Sequence, residues 1–526
     1  MLRTGDKTAV LPLLAAFAIA LTVAGDALAR DPPNQGRRGA ARIAAKARPF
    51  NRTAPAPQFR AAAPADRAGG AWGGRNSRAA AVAAFSHGPA ANAFLHNQEV
   101  RRPEHRREIA AARSRLPQHP LPGERGFTGV PPPGETRFVS NEMVFHVDPS
   151  ISRQAVANVA RKLNLSMVAS HGVALTGGTM YHLRVADGRS VADAVRALEA
   201  EKLGVAQPNY VFKLQQDPTL AARTQGGELD QYVVNKLQLG EVHRLATGSN
   251  VLVAVIDSEI DSRHPDLAGA FVERFDAVGR PDKPHVHGTG MAGAIVAHRR
   301  LMGIAPGAKI LAIHAFSPDA GESAQATTQH ILAGMEWAIS KGARVINMSF
   351  AGPYDPMLQL AMKKAHEKGV VLIAAAGNLG PKSPPLYPAA DPNVIAVTAV
   401  DQNDHLFAGA NQGPQIAVAA PGVNVLEPAP DSGYQITTGT SVAAAHVSGV
   451  AALMLERNRS LDPDTVHEIL TLSAKPLVPG GRNDQYGWGL VDPARALLDV
   501  DAQLANDRRN NSAKPAAAKP GTLSSR

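Results

Sequence analysis

Continuous apolar runs recur between Tyr232 and Val500, and they constrain the fold more than any other feature of the chain. They lie at 251–257, 309–315, 344–348, 370–376, 394–400 and 416–419. Each is far too short to span a bilayer, and too uniformly apolar for a strand with one wet face. Helical patterns separate several of them, such as HILAGMEWAISK at 330–341 and PMLQLAMKKAHEK at 356–368. Buried strands alternating with helices predict an α/β unit over 232–500, a doubly wound, mostly parallel sheet covered on both faces.

A different texture precedes it. EMVFHV (142–147) alternates like a strand, and 152–163 carries Val156, Val159, Ala160 and Leu163 at helical spacing. A strand at 165–175, TMYHLRV (179–185), a helix at 191–200 and GVAQPNYVFKL (204–214) complete a β-α-β-β-α-β order. That order predicts a small α+β split-βαβ domain over 137–214. The polar, turn-rich stretch 215–231 reads as an exposed linker open to proteolysis.

The termini carry little core. Arg3 and Lys7 precede an uncharged stretch ending in Ala-x-Ala at Ala29, which describes a secretory signal peptide over 1–29. Pro12 and that ending favour cleavage over an uncleaved anchor, so an exported chain with no membrane span after signal removal is expected. Residues 30–136 are rich in Arg, Ala and Pro and read as largely disordered, with room for a short helix at 102–115. The tail 501–526 reads as disordered too. The net charge of +10 sits partly in these arginines, but interleaved aromatics and nucleic-acid motifs are missing, so no nucleic-acid partner is expected. With no cysteine, disulfides and thiolate zinc sites are excluded.

Sites in doubly wound sheets gather at the carboxyl ends of strands. Asp257 ends the first apolar run, where an aspartate is also an ordinary turn former. In HVHGTGMAGAIVAH, Gly288, Gly290 and Gly293 match a dinucleotide fingerprint, but the proline-broken GRPDKPHVH before it is no strand. The glycines fit close helix packing better. His287 then falls in the first helical turn, where the dipole disfavours its cation and suits it to act as a neutral base, or where it merely caps. Asn378 follows Gly377 at another strand end, and a carboxamide N–H there could stabilise an oxyanion. Ser441, in TGTSVAAAHVSGV, stands at a helix start as cap or nucleophile. The Gly-x-Ser-x-Gly elbow of α/β-hydrolases is absent around it. The order Asp, His, Ser, with Asn between the last two, is one of the known chain orders of a Ser-His-Asp triad.

With VAVIDSEID, HGTGMAG, INMSFAGP, AAAGNLGP, TGTSVAAAHVSGVAALM and YGWGLVDPARAL in this order, the chain resembles the subtilisin-like serine peptidases across nearly all of 232–500. The resemblance implies a serine endopeptidase acting on protein or peptide substrates, with catalytic Asp257, His287 and Ser441 and an oxyanion hole of Asn378 and the Ser441 N–H. It implies that Ser349, Ala351 and Gly352 belong to a strand that pairs with substrate, and that Ala375 and Gly377 line the opposite pocket wall. The 137–214 unit resembles the family's inhibitor-type propeptide, so a zymogen is expected, with the propeptide as intramolecular inhibitor and self-cleavage in 215–231. No cofactor is required. Asp266 resembles a calcium ligand, but AHRRLMGIAPG offers arginines in place of oxygen donors, so no site of that type is expected; calcium at another place stays open, with no metal site identified. Four positions depart from the family pattern: Glu259 for Gly, Gly290 for a second His, Ala351 for Gly and Ala445 for Pro. Glu259 and the basic N-terminal region motivate an alternative, a catalytically silent scaffold that binds a surface.

Overall fold

The computed structural model describes residues 89–214, 222–224, 231–318 and 324–512. The expected signal segment, most of the linker and the end of the tail lie outside them. Helix α1 (Pro89–Ser114) comes first. The small unit follows as β1 (Phe138–Val147), α2 (Arg153–Lys162), β2 (Leu165–Gly172), β3 (Thr179–Val185), α3 (Val191–Ala200) and β4 (Gly204–Leu214). Ser152 and Ser190 cap the two helices with their hydroxyls, accepting from Ala155 and Asp193 N–H. The strands form an antiparallel sheet in the order β4-β1-β3-β2, as the β-α-β-β-α-β pattern requires. Its core gathers Phe145, Leu183, Val195 and Leu198.

The larger unit runs through β5 (Ala222–Thr224), α4 (Tyr232–Lys236), α5 (Leu239–Leu245), β6 (Leu252–Ser258), β7 (Phe271–Asp276), α6 (Val286–Val296), β8 (Lys309–Phe316), β9 (Gln325–Thr327) and α7 (Thr328–Ser340). It continues with β10 (Val345–Met348), β11 (Phe350–Ala351), α8 (Pro356–Glu367), β12 (Val371–Ala375), β13 (Val394–Val400) and β14 (Ile416–Pro421). The hairpin β15 (Val425–Ala429) and β16 (Gly433–Thr437) precedes α9 (Thr440–Arg457), α10 (Pro463–Ser473) and α11 (Pro493–Ser512). Seven parallel strands pair in the order β14-β13-β12-β10-β6-β8-β7. The continuous apolar runs have a direct cause. Along β6, Val253 and Val255 enter the core under α6 and α9, while Ala254 and Ile256 enter the core under α7 and α8. A strand buried on both faces has no polar alternation to show.

Several expectations are corrected. Residues 89–136 are not disordered: α1 is a 26-residue helix held by side chains of α10 and α11, and 115–136 has defined turns. Helix α11 carries on through 501–512, with Arg457 clasping Asp501 by two hydrogen bonds from one guanidinium nitrogen at 2.7 and 2.8 Å. Part of the expected linker, Ala222–Thr224, pairs antiparallel with β16. The edge strand β7, too polar to register as an apolar run, was missed. No helix among the described residues is long and apolar enough to cross a membrane.

Candidate active site

The carboxyl ends of β6, β10 and β12 lie side by side in the sheet, and each delivers residues to one place. Asp257 is the penultimate residue of β6 and is fully buried. Its Oδ1 accepts from the Ser258 N–H at 2.7 Å and the Ser258 hydroxyl at 3.0 Å. Both its oxygens also meet His287 Nδ1, at 2.8 and 2.9 Å.

His287 is the second residue of α6 and is itself buried. It does not cap that helix. His285 does, its Nδ1 accepting from the His287 N–H at 3.2 Å. Burial lowers the His285 pKa, which keeps that cap neutral and able to accept. The glycines of this stretch serve packing rather than a dinucleotide. A Cβ on Gly288 would lie 2.4 Å from the Ser258 carbonyl, one on Gly290 2.5 Å from Glu427 Oε2, and one on Gly293 2.2 Å from Pro428. Helix α6 therefore approaches β6 and β15 at backbone distance. At Gly290, where the family pattern has a histidine, Glu427 leaves no room for a side chain in this packing.

Ser441 is the second residue of α9, behind Gly439 as N-cap, so it is no cap. Its hydroxyl donates to the Ser349 carbonyl at 3.1 Å, and Ser349 Oγ donates back to the Ser441 carbonyl at 3.0 Å. His287 Nε2 has no hydrogen-bond partner among the described residues. Asn378 follows β12, and its Oδ1 accepts from the Thr440 N–H at 3.1 Å and the Thr440 hydroxyl at 2.8 Å. The carboxamide is thus held by its oxygen against Thr440, the residue next to Ser441. Gly377, at φ +110°, turns the chain where a Cβ would meet Leu386 at 2.8 Å, so glycine is required there. Thr440, His285 and Ser258 organise the site, and sequence reasoning passed over all three.

The expected substrate strand is only partly available for backbone pairing. Phe350 and Ala351 pair antiparallel with Leu214 and Lys213, the end of β4. Gly352 is not part of that ladder, because its N–H and carbonyl are bonded to Tyr387 at 2.8 and 3.1 Å. Its contribution is space: a Cβ would lie 2.3 Å from the Phe212 ring. On the other side of β4, Val211–Lys213 pair with β9. The strand preceding the linker is therefore held between two strands of the larger unit. Ala375 ends β12 in the core, two residues before Gly377.

Two departures resolve locally. Arg274 donates to Glu259 Oε2 at 3.0 and 2.6 Å, so the added charge near Asp257 is paired. Ala445 lies inside α9, where alanine costs nothing. Asp266 does not fit a calcium site. Its carboxylate accepts the N–H groups of Arg300 at 2.6 Å and Leu301 at 3.3 Å, from the loop in which oxygen ligands would be needed.

A buried Asp–His pair and a serine in the first turn of a helix, on elements gathered at the carboxyl edge of a parallel sheet, are the groups a serine hydrolase requires. Residues 248–489 match the Subtilase family, Peptidase S8. Thermitase of Thermoactinomyces vulgaris is 37% identical over 238 residues, 44% of this chain and 84% of that protein. Subtilisin E of Bacillus subtilis (strain 168) is 36% identical over 299 residues, 54% of this chain and 76% of that protein. The crystal structure of fervidolysin from Fervidobacterium pennivorans, described as a keratinolytic enzyme related to subtilisin, superimposes with a TM-score of 0.59 at 26% identity. That match covers 73% of this chain and 64% of that one, just under two thirds. The chain belongs to the subtilase family of serine endopeptidases, and its substrates are proteins or peptides.

Proposed function

We propose that this endopeptidase is exported as a zymogen and cleaves peptide bonds through an acyl-enzyme on Ser441. The observation that carries the catalytic assignment is the buried Asp257–His287 contact, at 2.8 and 2.9 Å. With Asp257 accepting the Nδ1 proton, the lone pair of His287 lies on Nε2. A turn of the Ser441 side chain exchanges the Ser349 carbonyl for that nitrogen.

His287 then takes the Oγ proton as Oγ adds to the substrate carbonyl carbon. The oxyanion is met by the Asn378 carboxamide nitrogen and the Ser441 N–H, one of the first-turn amides with no intrahelical acceptor. His287 passes the proton to the leaving nitrogen as the C–N bond breaks, and Asp257 stabilises the imidazolium without itself being protonated. Water, deprotonated by His287, attacks the acyl carbon and returns the serine. Ala351 pairs with the substrate backbone, Gly352 leaves room for a side chain, and Ala375 and Gly377 form the facing wall.

The zymogen reading is supported by β4. The 137–214 unit ends with Lys213 and Leu214 on Phe350–Ala351, where an extended substrate would lie, and the linker follows directly. The interface is specific: Gln207 Nε2 donates to buried Asp355 at 2.7 Å, and Glu336 accepts the N–H groups of Ala174 and Leu175. Export rests on the signal-like 1–29 segment. The test is intact mass over time for the full chain and for Ser441→Ala. Shortening within 215–231 in the active chain alone supports the reading, and identical stable masses refute it.

A further inference from the structure

Helix α1 precedes the small unit in the chain, yet it is fastened to α10 and α11, which supply none of the site residues. Arg102 reaches between two carboxylates, donating to Glu468 at 3.1 Å and to Asp499. Both acids are nearly inaccessible, at 5% and 2% side-chain exposure. Arg106 takes the other oxygen of Glu468 at 2.8 Å. Gln98 caps the Leu472 carbonyl at 3.0 Å, and His105 bonds Thr471 at 2.8 Å while packing on Trp488. Two carboxylates from different helices, converging and buried under one guanidinium, form a socket that is costly to leave without its cation. Burial holds the Asp499 pKa up at about 6 even with Arg102 present.

Residues 115–136 join this helix to the small unit. His119 stacks on Tyr354 at 3.8 Å, and the Gly129 N–H donates to Glu199 at 2.7 Å, so the connection is laid along the surface. A cut within 215–231 would therefore leave 89–214 as one fragment with two separate holds, α1 on its socket and β4 between β9 and β11. Linked holds reinforce each other, because rebinding of one is intramolecular while the other stays bound.

We propose that α1 is a second anchor that keeps the cleaved N-terminal fragment on the peptidase, so that activation requires a further cut between the anchors. This rests on the zymogen reading above. The exposed turn Gly123–Gly126 (GERG) is where a protease can enter that connection. After the further cut the small unit leaves and α1 stays in its socket.

The test compares the wild-type chain with Arg102→Glu/Arg106→Glu, following fragment masses, co-elution of the N-terminal fragment on size exclusion, and hydrolysis of a chromogenic peptide. The linker should be cut in both. The fragment should leave the double variant on the order of 100-fold faster, the low end of the gain from linked sites. In the wild type, activity should appear only with a second cut in 115–136. Should the double variant fail to fold and cut itself, His105→Ala/Arg106→Ala trims the anchor while leaving Arg102 in the socket, and should release faster than wild type. Equal release in wild type and a self-cleaving variant, or wild-type activity before any cut in 115–136, overturns the anchor. A wild-type chain never cut in 215–231 overturns the zymogen reading and the anchor together.

Discussion

Replacing Glu427 with glutamine should stabilise the protein by an amount that grows with pH. Glu427 lies in the middle of β15, buried, with neither carboxyl oxygen hydrogen-bonded among the described residues. Burial pushes its pKa from 4.5 up to about 8, and the nearby Asp257 charge adds to the shift. In the unfolded chain the group ionises near its ordinary value. Between the two values the native state binds more protons than the unfolded state, so stability falls as pH rises through that window. At pH 7 the gap is about 2.5 units, worth ~3 kcal/mol at 1.36 kcal/mol per unit. Glutamine keeps the shape and cannot ionise, so it removes this loss. Urea unfolding followed by tryptophan fluorescence in a Ser441→Ala background, which prevents self-digestion, measures it. The two proteins should be near equal at pH 5, with E427Q ahead by about 3 kcal/mol at pH 7. An offset that is the same at pH 5 and pH 8 would refute the reasoning.

The same packing predicts that Gly290→Ala destabilises the chain, since its methyl would meet Glu427 Oε2 at 2.5 Å. Glu427→Ala in the same chain should recover part of that loss, a coupling that unfolding midpoints of the two singles and the double would reveal. Asn378→Ala should lower kcat by about 10²–10³ with little change in KM, because the carboxamide is used only as the oxyanion forms. A matched loss in KM would point to ground-state binding instead. Gly377→Ala should cost both stability and activity, being strained at φ +110° and crowded by Leu386, and expression yield with kcat/KM would show it.

The sheet was legible because burial on both faces leaves runs such as 251–257 without polar interruption. Strand order was not legible, since pairing depends on crossovers that carry no local signature. The β-α-β-β-α-β unit was readable from period alone; the Ser152 and Ser190 caps at its helix starts emerged only with the structure. Helix α1 was legible only in its second half, where a short helix at 102–115 is expected; the turns before Pro103 were not, because a proline inside a helix and a first turn without an acidic residue argue against continuing it. It is held by contacts to residues more than 350 positions away, such as Glu468 and Asp499, which no local pattern can show. The candidate site residues were singled out by motif order, whereas their geometry was not legible. Whether His287 or His285 caps α6, and whether Ser441 bonds His287 or Ser349, depends on side-chain placement. Gly352 shows the same limit: its motif suggested backbone pairing, but Tyr387 already holds its backbone.

In the proposed mechanism Ser441 is a nucleophile activated by His287 and Asp257. Labelling with a fluorophosphonate probe after removal of the N-terminal fragment tests it most directly, with the modified residue located by peptide mass. One adduct is expected, on Ser441, lost in Ser441→Ala and strongly slowed in His287→Ala. An adduct on another residue, or none in a chain that still hydrolyses peptides, would contradict it.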